Sequence, residues 1–272
     1  MTTTATQRLL DIMAALRHPD HGCPWDREQT FRSIVPYTLE EAYELAEAIE
    51  RQEPEAIKDE LGDLLFQVVF YTQLGQEQAW FDFDGLANQL AAKLERRHPH
   101  VFADAEGRTP AAVSGQWERI KEQERRAAAS DGQPATLDGV AANLPALTRA
   151  QKLQQRAARI GFDWGESAPV LDKIEEELAE FRQQLEQGDG AERLAEELGD
   201  LLFACVNLAR HAEVDPETAL RGTNRKFESR FRYIESRLAA IGRKPEDSSL
   251  EDMDGLWEEA KLSEKPDRKS EE

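Results

Sequence analysis

Cysteine is nearly absent from this 272-residue chain: Cys23 and Cys205 stand far apart and outside any CxxC pair, which excludes a disulfide framework and fits a reducing compartment. Valine and isoleucine are sparse, and no stretch alternates apolar with polar residues as a half-buried strand would, which excludes a β-rich fold. Long apolar runs are also missing. The longest, Leu64 to Phe70, is too short to span a bilayer, and the opening Met1-Thr-Thr-Thr-Ala-Thr lacks the basic and apolar regions of a secretion signal. A soluble, cytoplasmic protein with no membrane partner is expected. Basic residues are in deficit, 34 against 54 acidic, for a net charge of −20. That balance repels nucleic acid, and it suits a protein that gathers divalent cations. What the chain does contain is Ala, Leu, Glu, Gln and Arg, the strong helix formers, so the fold class is all-α.

The chain is a duplication. Glu60-Leu61-Gly62-Asp63-Leu64-Leu65-Phe66 recurs letter for letter as Glu197-Leu198-Gly199-Asp200-Leu201-Leu202-Phe203. Glu40-Glu41-Ala42-Tyr43-Glu44 answers to Glu176-Glu177-Leu178-Ala179-Glu180, Lys93 to Arg97 answers to Lys226 to Arg230, and Trp117 to Lys121 answers to Trp257 to Lys261. Blocks repeated in one order at nearly one spacing imply tandem helical-bundle domains, here 1–128 and 138–265, with a linker at 129–137 and a frayed acidic tail at 266–272. Helices are predicted near 5–17, 36–51, 55–78, 84–97 and 110–128, then 145–160, 168–187, 190–212, 216–241 and 249–263. Thr109-Pro110 and Asp215-Pro216 read as N-cap and first-turn proline, and Ser248 with Glu251 as a capping box.

Helical spacing puts Glu41 with Glu44, and Glu60 with Asp63, each pair on one face of its helix. A short connection makes the two helices antiparallel neighbours, so the four acids can converge; Glu177, Glu180, Glu197 and Asp200 repeat the arrangement. One such pattern alone is ordinary solvated charge. Its repetition, and the position of Asp63 and Asp200 after a mid-helix glycine and before an apolar run, favour a metal site. Hard oxygen ligands without nearby His or Cys suit Mg²⁺, with Mn²⁺ as a substitute. A zinc site at His18, His21 and Cys23 lacks a fourth ligand and has no echo in the second half. Cys205, inside an apolar helix, reads as core rather than nucleophile.

Lys226 and Arg230, with Lys93 and Arg97 as counterparts, can place both cationic heads on one patch and hold phosphate oxygens; Lys173, one turn before Glu177, is of the same kind. The Trp257/Lys261 and Trp117/Lys121 pairs either stack on a nucleobase and reach phosphate or anchor the last helix of each domain.

These blocks resemble the MazG family of nucleoside triphosphate pyrophosphohydrolases, whose mark is EExxE followed by ExxD on the next helix. The likeness covers nearly the whole chain, including Cys23-Pro24-Trp25-Asp26, Glu95-Arg96-Arg97-His98-Pro99-His100-Val101-Phe102 and Gly161-Phe162-Asp163-Trp164, and it is to the long, two-domain bacterial form. It implies a homodimer of tandem domains of the all-α NTP pyrophosphatase type. Nucleoside triphosphates would be cleaved to monophosphate and pyrophosphate with broad base tolerance, in nucleotide-pool housekeeping or the stress response. It makes the C-terminal domain the main catalytic one, with metal ligands Glu177, Glu180, Glu197 and Asp200 and nucleotide contacts from Lys173, Glu176, Glu196, Lys226, Arg230, Trp257 and Lys261. Glu176 or Glu180 would serve as base toward water. The N-terminal domain would contribute structure or regulation, although its ligand set is intact. The rivals are a prenyl-transferring type of all-α diphosphate enzyme, which would need one large apolar cavity lined by both acidic motifs, and a nucleotide-sensing helical scaffold that binds without cleaving.

Overall fold

The structure is a computed structural model and describes residues 4–102, 117, 119, 120, 123, 124, 135–188 and 190–264. The chain divides into two compact units, Met1–Ser130 and Asp131–Glu272. The predicted helix at 110–128 falls mostly outside the described residues, as do Thr109-Pro110 and the tail at 266–272.

In the first unit the helices are α1 (Ala5–Leu16), α2 (Pro24–Glu28), α3 (Phe31–Arg51), α4 (Pro54–Glu77), α5 (Phe83–Arg97) and α6 (Pro99–Phe102). In the second they are α7 (Ala146–Arg159), α8 (Ala168–Gln187), α9 (Ala191–His211), α10 (Pro216–Ala240) and α11 (Leu250–Ser263), with a 3₁₀ turn at Pro245–Asp247. No strand occurs among the described residues.

Local chemistry sets the helix ends. Asp82 and Asp215 cap α5 and α10 by accepting from Gly85 N–H at 2.7 Å and Thr218 N–H at 2.8 Å. Helix α3 begins at Phe31, earlier than predicted. Thr30 and Ser33 form a reciprocal capping box, with Ser33 N–H to Thr30 Oγ1 at 3.2 Å and Thr30 N–H to Ser33 Oγ at 2.8 Å, and Pro36 is absorbed inside the helix. The predicted cap Ser248 is also corrected: Ser249 caps α11, accepting from Asp252 N–H at 3.1 Å, while Ser248 Oγ donates to Lys244 O at 2.9 Å. Short turns reverse α3 into α4 and α8 into α9. Both use a left-handed residue after the first helix, Gly188 at φ 70° in the second unit but Gln52 at φ 57° in the first, where a side chain carries the strain glycine avoids.

The first core is Met13, Ile34, Val69, Phe70 and Leu74, with Leu10, Phe31, Tyr71 and Phe83 packed around it. The second unit buries Val170, Ala204, Val206, Ile234, Leu238 and Ala260, smaller side chains on average. In both units one helical hairpin, α3–α4 or α8–α9, is the best-packed pair, and it carries the acidic motifs.

Candidate metal centre

The α8–α9 hairpin brings Glu177, Glu197 and Asp200 together, with one carboxylate oxygen from each lying within 4.8 Å of the others. The α3–α4 hairpin does the same with Glu41, Glu60 and Asp63. In each unit three of the four expected acids form the cluster; the exposed Glu180 and Glu44 stand off it but near enough to act by charge. Partial burial pushes the Glu197 carboxyl above its usual range, and the negative charges of Glu180, Glu177, Asp200 and Glu196 push it further. Glu60 is raised by partial burial and then by Glu44, Asp63 and Asp59, and Glu41 by burial and then by Asp63, Glu44, Glu60 and Glu40. Three mutually repelling hard-oxygen donors with no imidazole or thiolate among them fit a divalent cation such as Mg²⁺ or Mn²⁺.

One expectation is corrected here. Asp63 and Asp200 are exposed, so their placement in apolar helices imposes no burial cost within the chain. Added Cβ atoms on their preceding glycines, Gly62 and Gly199, would meet nothing within 4 Å. Cys205 is likewise exposed rather than core, because it lies on the outward stripe of α9 with Leu198 and Leu202.

The two clusters differ in their cationic partner. Glu177 is only 5% exposed, and a buried carboxylate requires pairing. Lys173 Nζ supplies it, 2.8 Å from Glu177 Oε1 and 2.9 Å from Glu176 Oε1. The hydrogen bond to Glu177, then that to Glu176, holds the lysine above its ordinary range. Four residues before Glu41 the first unit has Tyr37, which packs edge-on to Trp25 with ring centroids 5.8 Å apart.

A cavity of about 610 Å³ opens beside the second cluster, with Lys173, Glu177 and Asp200 in its wall. Gln154, Phe162, Asp163, Trp164 and Asn207 contribute to the rest. A larger hollow of about 730 Å³ in the first unit, lined by Trp80, Phe81 and Gln89 among others, includes none of the carboxylates of the cluster. The loop carrying Phe162 and Trp164 is pinned to α9. Arg210 Nη1 donates to Asp163 Oδ2 at 3.0 Å, and His211 Nε2 lies 3.2 Å from Asp163 Oδ1. These bonds, Arg210 first, lower the Asp163 pKa. A carboxyl depressed on folding contributes stability above its unfolded pKa of about 3.9, and loses it as pH falls through the lower folded value. Acid titration of thermal stability is therefore expected to fall off below about pH 4 in wild type and to be flatter there in Asp163→Asn; equal slopes would refute the pin.

The basic and aromatic candidates sit elsewhere. Arg230 donates through Nε and Nη2 to Glu264 Oε2 at 2.9 and 2.8 Å, its guanidinium lies 5.3 Å from the Trp257 ring, and Phe227 flanks that ring at 5.4 Å. Lys261 pairs with Glu258 at 2.7 Å, and Lys226 is exposed on α10. None of these four lines the cavity. The first unit echoes this patch: Arg97 and Arg96 pair with Glu124, whose carboxyl is pulled down to about 2, and Trp117 lies 6.0 Å from His98. Lys93 is exposed on α5, and Lys121 lies outside the described residues. Glu196 is exposed on α9, and Glu176 is spoken for by Lys173. Glu264, Gln154, Asn207 and Arg210 were not singled out from the sequence. Only Asn207 carried a usable signal, standing seven residues after Asp200 and so on the same helix face.

Tandem all-α units, each with a helical hairpin whose carboxylates could hold a divalent cation, define the class of the protein. The model of the MazG nucleotide pyrophosphohydrolase domain matches twice, at residues 29–102 and 166–234, once on each hairpin. The nucleoside triphosphate pyrophosphohydrolase of Escherichia coli (strain K12) is 50% identical over 259 residues, spanning 94% of this chain and 97% of that protein. The nucleoside triphosphate pyrophosphohydrolase/pyrophosphatase MazG of Thermotoga maritima is 43% identical over 94% of this chain and 95% of its own length. A nucleoside triphosphate pyrophosphohydrolase of Mycobacterium tuberculosis is 36% identical over 57% of this chain and 46% of its own. The chain belongs to the MazG family. Among the described residues no helix is long and apolar enough to cross a membrane.

Proposed function

We infer that the protein hydrolyses nucleoside triphosphates to nucleoside monophosphates and pyrophosphate with Mg²⁺, and that the second unit carries the reaction. The observation that supports this reading is the Glu177–Glu197–Asp200 cluster opening directly onto a cavity that also presents Lys173. Glu177, Glu197 and Asp200 would hold the ion, with Glu180 beside them. Bound there, a divalent cation neutralises phosphate charge and makes water more acidic. Lys173, already poised at Glu177 and Glu176, offers its ammonium to phosphate oxygens. Glu176 or Glu180 orients the attacking water and takes its proton, at either the α or the β phosphorus, since both routes give the same products. Lys226, Arg230, Trp257 and Lys261 form a second basic patch that meets the nucleotide or anchors α11. The role in the cell is the clearing of nucleotides from the cytoplasmic pool, in housekeeping or under stress.

A homodimer accompanies this reading. Leu61, Leu65 and Val68 on α4, and Leu198, Leu202 and Cys205 on α9, form stripes at i, i+4, i+7 spacing that face outward. A second copy covering them would also explain the open glycines Gly62 and Gly199, which let a backbone approach.

Pyrophosphate release from a panel of nucleoside triphosphates with Mg²⁺ tests the activity. Wild type is expected to turn over several of them, Glu180→Ala to lose at least about 100-fold, and Glu44→Ala to keep activity within about twofold. No release from any triphosphate would reduce the protein to a nucleotide-binding scaffold, and loss only in Glu44→Ala would move catalysis to the first unit.

A further inference from the structure

We propose that Lys173 is a built-in counter-ion at the second cluster: it pairs with Glu177 in the metal-free protein, and a divalent cation must displace it to gain that ligand. The proposal rests on the metal reading of the cluster given above and extends it to what competes with the ion.

Glu177 is the buried member of its cluster, with 7% of its side chain exposed, while the side chain of Lys173 is 35% exposed. The ammonium lies 2.8 Å from Glu177 Oε1 and 2.9 Å from Glu176 Oε1, and so bridges one buried and one exposed carboxylate of α8. A buried carboxylate matched by an ammonium is a satisfied pair, and an ion that takes Glu177 meets a positive charge already seated there. Release needs little movement. Lysine has a flexible four-carbon stem, and Nζ can leave Glu177 while keeping Glu176, whose side chain is 55% exposed. Lys173 also stands in the cavity wall with Glu177 and Asp200, so the freed ammonium stays at the site. On the hydrolytic reading a substrate phosphate is its next partner.

The repeat isolates the device. Aligning Glu40-Glu41 with Glu176-Glu177 places Tyr37 where the second unit has Lys173. A phenol carries no positive charge, and this one packs edge-on to Trp25. The charges felt at Glu41 are those of Asp63, Glu44, Glu60 and Glu40, all negative. Three clustered carboxylates without a counter-ion attract a bare cation, whereas in the second unit one of the three is already answered. One helix position thus separates an uncontested cluster from a contested one. The opposite role for such a lysine is support, since a hydrogen-bond donor can hold a ligating carboxylate in place. The two roles differ in sign: removing a competitor strengthens metal binding, and removing a support weakens it.

The test is Mn²⁺ binding to the full chain without nucleotide, read as loss of the electron paramagnetic resonance signal of free Mn²⁺. All proteins carry Glu60→Gln and Asp63→Asn, which disable the first cluster. Lys173→Met is expected to bind Mn²⁺ at least about tenfold more tightly than this parent, the scale of one hydrogen bond between charged groups, and added Asp200→Asn should remove the gain. Lys173→Arg, which keeps the cation, should bind as weakly as the parent. Thermal melts give a second readout. In EDTA Lys173→Met should melt below the parent, because Glu177 is left buried without a partner, and Mn²⁺ should raise its Tm by more than it raises the parent's. Lys173→Gln, which offers Glu177 an N–H without a charge, should show the same gain in affinity and covers the case that Lys173→Met does not fold without metal. Unchanged or weaker Mn²⁺ binding in either neutral variant that folds overturns the counter-ion, and Mn²⁺ bound by none of these proteins overturns it together with the metal reading. Tighter binding supports it even if Mg²⁺ releases no pyrophosphate from any triphosphate, in which case only the hydrolytic reading fails.

Discussion

Glu197→Gln is expected to lower kcat/KM for pyrophosphate release by about 10³-fold, the scale seen when one electrostatic contributor to a transition state is removed, and at the same time to stabilise the metal-free protein. The two effects have one cause. Glu197, Glu177 and Asp200 hold their carboxylate oxygens within 4.8 Å of one another, with Glu180 adding its field, so without a cation the cluster is repulsive. Glutamine keeps the shape and removes one charge. The pH dependence has a definite sign. Partial burial and then the neighbouring carboxylates raise the Glu197 pKa in the folded state above its unfolded value. Its favourable contribution is therefore complete below about pH 4.3, the ordinary glutamate value, and is lost as pH rises through the higher folded value. Thermal melts in EDTA from pH 4 to 7 should show wild type losing stability across that window and Glu197→Gln losing less. Saturating Mg²⁺ should favour wild type, since an ion that binds only the folded state stabilises it by mass action. A variant less stable than wild type in EDTA would contradict this account of the cluster.

The first unit separates repulsion from chemistry. Glu60 and Glu41 are raised by the same kinds of cause, so Glu60→Gln should also stabilise the metal-free protein. It should leave turnover near wild type, because Tyr37 stands where the second unit has Lys173 and Phe70 where it has Asn207. On the proposed reading intact ligands do not suffice: the second unit adds Lys173 at its cluster and a cavity beside it.

That distinction was only partly legible in the sequence. Helices and the paired acids were readable because both depend on local spacing: 3.6 residues per turn, capping at the ends, and a repeat that exposed the same letters twice. Where local signals competed, the reading slipped by a few residues, as at the start of α3, where the Thr30–Ser33 capping box extended the helix through Pro36, and at Ser249 rather than Ser248. Features set by side chains distant in sequence were not visible. Arg230 and Arg97, read as phosphate contacts, each pair with a carboxylate that no local spacing announces, Glu264 or Glu124, 34 or 27 residues away. Gln154 meets α9 across 49 residues. Nothing in the spacing of a lone glutamine announces a buried, unmatched oxygen. Cys205 is exposed where an apolar helix predicts core, because this helix has an outward apolar stripe as well as an inward one.

Phe70→Ala is expected to cost the first unit about 3–5 kcal/mol, the range for truncating a fully buried aromatic. The ring is 0% exposed and sits between the aliphatic core and the Arg17 guanidinium. Removing it leaves a cavity that the surroundings have little freedom to fill. Arg17 is tethered by Glu77 at 2.7 Å and donates to Gln29 O at 3.2 Å, so it cannot swing in without breaking those bonds. Urea unfolding followed by circular dichroism measures the loss, and a cost under about 1 kcal/mol would mean that Phe70 is not what closes this core. Pyrophosphate release at 25 °C should stay within about twofold of wild type, because the ring belongs to neither the second carboxylate cluster nor its cavity. Phe66→Ala, one turn earlier on α4, makes the comparison informative. That ring is 39% exposed and packs edge-on to Phe70 at 5.8 Å, so within a lone chain its removal should cost well under half as much. A Phe66→Ala penalty that approaches that of Phe70→Ala and grows with protein concentration would show that the outward face of α4 is covered by a second copy in solution.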